Sequence, residues 1–216
     1  MMMLVSVTLT IVLIIAAKQN QKNRVPTGFG NLVEMLMIFL KDEIVLPSMG
    51  KAGLSYLPFF FTLFVFVLSC NLFGLLPYMS AATGSISVTA ALALITFVMI
   101  QILGIKNNGF AGYFKGLLPS GLPLPVIPIM VIVEFLALLT KPFALCVRLF
   151  ANMTAGHVVI LALIGLIFLM GYVITPLSIA FSLFIYLLEI LIALLQAYIF
   201  TMLSALFIGM AVHQEH

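Results

Sequence analysis

Apolar residues run along this chain in long blocks, separated by short clusters of Lys, Asn, Gly and Pro. The first block, residues 1–17, is followed by Lys18, Lys22 and Arg24. A cleaved secretion leader carries positive charge ahead of its apolar core, and here the charge follows it. The block is therefore expected to be a first crossing with its N-terminus outside. Over residues 29–46 the pattern changes: Phe29, Leu32, Val33, Leu36, Met37, Leu40 and Ile44 recur near every 3.6 residues, with Asn31, Glu34, Lys41 and Asp42 opposite. That predicts an amphipathic helix along the membrane surface, and Pro47, Gly50, Lys51 and Gly53 then predict a loop. Residues 57–76 and 88–105 read as a spanning hairpin joined by the polar turn Ser80 to Ser87. Lys41 and Lys51 precede the pair, Lys106 and Lys115 follow it, and the turn carries no charge, so both open ends face the inner side.

After a proline-rich connection, Gly116 to Pro128, come the blocks 125–174 and 177–212. At about 1.5 Å per residue each is longer than one upright crossing needs. Either both helices tilt strongly, or the first breaks near Pro142 or Gly156. The pattern as a whole predicts an all-α polytopic membrane protein. It would have about five crossings plus a surface helix in one integral membrane domain, closed by a hairpin of two long helices.

Composition agrees, because 64% of residues are hydrophobic and 7% charged, which no soluble domain of 216 residues could cover. The net charge of +3 lies mostly in the short connections, so it reports topology and not affinity for nucleic acid. Cys70 and Cys146 sit inside apolar runs, without the spacing of a disulfide or a metal site. No Walker motif, nucleotide-binding glycine loop or HExxH occurs, so no cofactor or metal is expected and soluble-substrate chemistry would need another chain.

The C-terminal half holds Glu134, Lys141, Arg148, His157 and Glu189 within its apolar blocks. Ionisable groups gathered in this way mark an ion pathway more often than a requirement of the fold. Arg148 cannot shed its charge, and an arginine at mid-membrane costs about 2.5–3.5 kcal/mol on insertion scales. It needs an anionic partner, a water-filled cavity or a polar network. Asn152, four residues on, shares its face, and Glu134, fourteen residues back, returns to the same side about 21 Å away. His157, nine residues on, looks out from the opposite face. Glu189 and Gln196 share a face of the last helix, with Gln196 able to sit across from Arg148 and Glu189 two turns off. Glutamate and histidine can exchange protons where arginine cannot, and an arginine holds a passing carboxylic acid in its ionised form. No carboxylate of this chain is evidently placed to be that acid, which points to a partner that brings one. Two competing readings are a self-contained ion-coupled secondary transporter built on Glu134, Arg148 and Glu189, and a structural pairing of Arg148 with Glu189. The transporter usually requires internal repeats, and none is seen.

The stretches KPFALCVRLFANMTAGH, Lys141 to His157, and LEILIALLQAYIF, Leu188 to Phe200, carry a specific resemblance, with NLFGLLP, Asn71 to Pro77, in support. From about Phe29 onward the chain resembles subunit a of the F-type ATP synthases. The resemblance implies a non-catalytic, proton-conducting stator subunit, with the ATP chemistry on other chains. Its implied partners are the ring of c subunits, a b-type peripheral-stalk subunit, other ATP synthase subunits and membrane lipid, and no nucleic acid. Arg148 matches the essential arginine that faces the ring carboxylate, Gln196 the residue opposite it, and Asn152 the position one turn along. Glu189 and His157 would line a half-channel from the outer side, and Glu134 one leading inward. Some bacterial members carry the acid and the imidazole of the Glu189–His157 pair exchanged. The implied location is a bacterial plasma membrane or the mitochondrial inner membrane, and the two last helices would follow the ring's surface.

Overall fold

A computed structural model of the chain describes residues 6–7, 9–10, 29–75, 84–109, 112–113, 127–171 and 174–212. Nearly all of the expected first crossing lies outside the described residues, as do the start of the 80–87 turn and most of the proline-rich connection. Within the described residues the backbone is helical apart from short turns. Four stretches are long and apolar enough to cross a membrane: Gly30–Gly74, Ile86–Asn108, Ile129–Leu169 and Thr175–Val212.

The chain from α1 (Phe29–Leu40) onward does not open into the loop expected at Pro47 to Gly53. It passes through a wide π turn at Lys41–Val45, then α2 (Leu46–Met49) and a 3-10 segment at Gly50–Tyr56, into α3 (Leu57–Gly74). The physical reason is where the breakers fall. Pro47 falls in the first turn of α2, directly after the π turn, and the helical run carries it without opening. Gly50 takes a φ of 60° to redirect the chain, and Gly53 lets the backbone press on Met49 and Val45, 2.7 and 2.8 Å from where a Cβ would stand. The wide turn also lets the consecutive residues Ile44 and Val45 both bury completely, while Asp42 and Glu43 stay exposed.

Beyond α4 (Ile86–Asn108), the two long blocks are single helices: α5 (Ile127–Met170) and α6 (Thr175–Val212). The break considered near Pro142 or Gly156 does not occur, since α5 continues through both. At about 1.5 Å per residue α5 is about 66 Å long, twice the hydrocarbon thickness of a bilayer.

The core gathers Phe60, Phe64 and Val67 of α3, Ile100 and Leu103 of α4, Leu145 and Leu149 of α5, and Phe200 and Ile208 of α6. Within lipid, apolar side chains gain little by meeting each other, so close backbone approach and interhelical hydrogen bonds decide where helices meet. Ala193, Ala197, Ala205 and Gly209 are buried along α6 and allow that approach. Polar ties fix it: Asn71 Nδ2 donates to the Ala193 carbonyl at 3.3 Å, Tyr186 donates to the Leu75 carbonyl at 3.1 Å, and Asn108 Nδ2 donates to the Ala211 carbonyl at 2.8 Å. Both cysteines are buried and free, and Cys146 lies 3.4 Å from the Thr89 hydroxyl. The outward sides of α5 and α6 remain bare, with Ile132, Phe135, Phe143, Leu183 and Leu187 all more than half exposed.

Gly209 is the tightest of these approaches, because a Cβ there would meet the backbone carbonyl of Ser48, which has no flexible end to swing away. Gly209→Ala is expected to lower stability by about 1–3 kcal/mol, the usual cost of overpacking. Thermal unfolding in mild detergent should show a reduced midpoint, and an unchanged midpoint would mean that this contact is not held.

Candidate functional site

Leu145, Leu149 and Met153 form the buried stripe of α5, and Arg148 and Asn152 stand beside it at its exposed edge. The buried stripe of α6 runs through Glu189, Ala193, Gln196 and Phe200. Two polar contacts set the antiparallel register between them. Asn152 Nδ2 donates to Gln196 Oε1 at 2.8 Å, and His157 Nδ1 lies 3.2 Å from Glu189 Oε1.

That register decides what Arg148 can touch. One turn back along α5 from Asn152 corresponds to one turn forward along α6 from Gln196, so Arg148 stands level with Phe200. Eleven residues, or about 16 Å along the helix, separate that level from Glu189. Gln196, expected across from Arg148, is met by Asn152, one turn along α5 from the arginine. The possible structural pair of Arg148 with Glu189 does not form. Glu189 is with His157, and among the described residues no carboxylate lies within ion-pair distance of the Arg148 guanidinium. Arg148 is half-buried, and the residues around it on the same face, Ala144, Ala151 and Ala155, are small and exposed.

Glu189 and His157 form a graded pair. The Glu189 side chain is 6% exposed and that of His157 41%, so a buried acid is coupled to an imidazole that reaches the surface. His157 Nδ1 is also 3.1 Å from the Met153 carbonyl, so one ring nitrogen faces both oxygens. Gly156 makes the room, since a Cβ at that position would collide with the Glu189 carboxylate. Asn71 of α3 joins the two long helices here, and with Asn152, Met153, Glu189 and Gln196 it lines a small pocket.

The buried polar atoms of α5 and α6 include three hydroxyls that the apolar pattern did not single out. Gln196 Nε2 and the hydroxyls of Thr154, Ser178 and Ser182 are buried without a hydrogen-bond partner among the described residues. Buried polar groups left in that state are sites for water. Ser182 precedes Glu189 by seven residues and Ser178 precedes Ser182 by four, so all three share one face of α6. That spacing was the signal available in the sequence. Glu134 is not part of this cluster. It stands half-buried near the start of α5, about 34 Å along the helix from His157, with Arg148 between them.

The family model described as ATP synthase A chain matches residues 1–209. Among curated proteins, ATP synthase subunit a of Chloroherpeton thalassium is 54% identical over 201 residues, covering 92% of this chain and 60% of that protein. ATP synthase subunit a of Myxococcus xanthus is 48% identical over 219 residues, 100% of this chain and 72% of that protein. For the protein of the same name from Chlorobium phaeobacteroides the figures are 51% over 194 residues, 88% and 56%. The chain therefore spans between 56% and 72% of the length of these relatives.

Two glycines of α5 separate the site from the rest of the helix. Gly165 has open space where a Cβ would go, and Gly156 has the Glu189 carboxylate. Gly165→Ala is expected to be neutral or to stabilise by about 0.4–1 kcal/mol through reduced freedom of the unfolded chain. Gly156→Ala should instead lower the thermal midpoint measured in the same detergent. Equal effects from the two substitutions would contradict the packing of Glu189 against α5.

Proposed function

The chain belongs to the ATP synthase A chain family, and from that premise we propose that it is the proton-conducting stator subunit of an F-type ATP synthase. Its partner at the site is a ring of c subunits that carries carboxylates past Arg148. The observation that carries this reading is the state of Arg148: it is set on an exposed face of α5 and held about 16 Å from Glu189 by the register. It also has no acid of its own chain in reach among the described residues. A permanent cation in that position is complete only when another chain supplies an anion. Ala144, Ala151 and Ala155 leave a low surface around it, on which a partner's helix can approach closely.

The chemistry divides at Arg148. A proton from the outer side travels along the Ser178, Ser182 and Glu189 face of α6 and through the Glu189–His157 pair to a ring carboxylate. Protonation removes that carboxylate's charge, so the neutral acid can turn away from the stator and into lipid. After most of a turn it meets the inner path, gives its proton toward Glu134, and is held ionised beside Arg148. Because the guanidinium neither gains nor loses a proton, it cannot pass one from Glu189 to Glu134. The Asn152–Gln196 bond, one turn away, holds α5 and α6 together where the arginine must stay fixed. Under this reading the lysine-bearing ends of the 57–76 and 88–105 hairpin lie on the inner side and the N-terminus outside. The b-type stalk subunit and the catalytic subunits complete the machine.

A self-contained transporter would need Arg148 and Glu189 to meet round a substrate, and their separation does not favour it. Arg148→Ala is the direct test. The proposal expects a complex that assembles at the normal level and a complete loss of ATP-driven proton pumping into inverted membrane vesicles. Pumping that persists, or disappearance of the chain from the membrane, would overturn it.

A further inference from the structure

Glu134, Lys141 and Arg148 stand at equal intervals on α5. They are seven residues apart, close to two turns each, so they follow one another along one face about 10 Å apart. The first and the last have roles in the proposed reaction, and the middle one does not. Lys141 is half-buried and has no carboxylate within ion-pair distance among the described residues. Its ammonium lies over the Phe207 ring of α6, 5.4 Å from the centroid. The face of an aromatic ring attracts a cation without neutralising it, so the charge is confined and still acts on its surroundings.

That contact belongs to the same register as the central site. Lys141 is eleven residues before Asn152 on α5, and Phe207 is eleven after Gln196 on α6, so the level set by the Asn152–Gln196 bond is kept to this end of the pair. A lysine that serves only to reach a headgroup has no need of a fixed seat on the neighbouring helix. Of the helices packed on α5, α6 carries one charged residue, Glu189, eighteen residues from Phe207, and α4 carries one, Lys106 in its last turn. The remaining titratable side chains of α6 are Tyr186 and Tyr198. Along α5 between Glu134 and Arg148, Lys141 is the one charge.

We propose that Lys141 is a second fixed cation of the rotor path, seated on Phe207 between the Glu134 exit and Arg148, whose field helps the ring carboxyl give up its proton on the inner side. The proposal rests on the reading above, in which the ring carboxyl loses its proton toward Glu134 and is then held beside Arg148. In that step the O–H bond of the ring carboxyl breaks and the proton passes to Glu134 and on to water, while Lys141 gains and loses nothing. A carboxylate level with Arg148 stands about 10 Å from the ammonium. In a medium drier than bulk water that is close enough to change its proton affinity by about one pH unit.

The test uses inverted vesicles bearing the assembled complex, in which the medium bathes the inner side. Lumen pH and membrane potential are held fixed while medium pH is varied. The substitutions are Lys141→Met, Lys141→Gln, Lys141→Arg, Phe207→Leu, Lys141→Met with Phe207→Leu, and Arg148→Ala. Without the ammonium the ring carboxyl holds its proton more tightly. Lys141→Met and Lys141→Gln are therefore expected to move the acid limb of ATP synthesis and the alkaline limb of ATP-driven pumping upward together, each by about one pH unit. Lys141→Arg should keep the parent limbs. Phe207→Leu should give a smaller shift in the same direction, and the double substitution no more than Lys141→Met alone. Limbs that stay in place, an equal shift with Lys141→Arg, or failure of both neutral variants to assemble would overturn the proposal. So would a defect confined to vesicles containing anionic lipid, which would make Lys141 a headgroup site. Arg148→Ala separates the two levels of inference. If it still couples, the underlying channel reading fails; if it uncouples while Lys141→Met keeps the parent profile, only the role of Lys141 is lost.

Discussion

A guanidinium cannot be neutralised by its surroundings, so a chain that carries one into an apolar region must either pair it or leave it for something else to pair. The helices α5 and α6 resolve this through their register. Asn152 meets Gln196 and His157 meets Glu189, and those two contacts place the nearest acid of α6 about 16 Å from Arg148. The contacts that join α5 to α6 thus leave the arginine open. Most of what can be said about function follows from that one arrangement.

The rest of the fold serves to keep the register from slipping. Small residues along α6 bring it close to α2 and α3, and Asn71, Asn108 and Tyr186 tie neighbouring helices to its carbonyls or to its side chains. Gly156 lets Glu189 enter against α5, so the acid is buried without displacing the backbone. The outward faces of α5 and α6 receive no such support and remain apolar and bare, as a surface does that another set of helices or lipid will cover.

The class of the fold and the identity of Arg148, His157 and Glu189 as the unusual residues could be read from the sequence, because an ionisable group in an apolar block is costly wherever it sits. Register could not. Arg148 and Asn152 lie one turn apart on one face, so either could have met Gln196, and a single hydrogen bond chose Asn152. Breakers misled in a similar way. Pro47 and Gly50 suggested a loop, and Pro142 a broken helix, yet one proline falls at a helix start and the other is carried inside α5. Ser178 and Ser182 passed unnoticed because a serine or threonine in an apolar helix commonly bonds back to its own backbone, as Thr201 and Ser204 do. Only the structure distinguishes the hydroxyls that are left without partners.

The account stands or falls on what meets the Arg148 side chain in the assembled complex. A map that resolves side chains at the membrane sector would answer this directly. The account predicts a carboxylate from a neighbouring chain facing the guanidinium, with the Glu189–His157 and Asn152–Gln196 contacts intact. Arg148 bonded to a glutamate of its own chain, or reaching a lipid headgroup with no partner helix alongside, would contradict it.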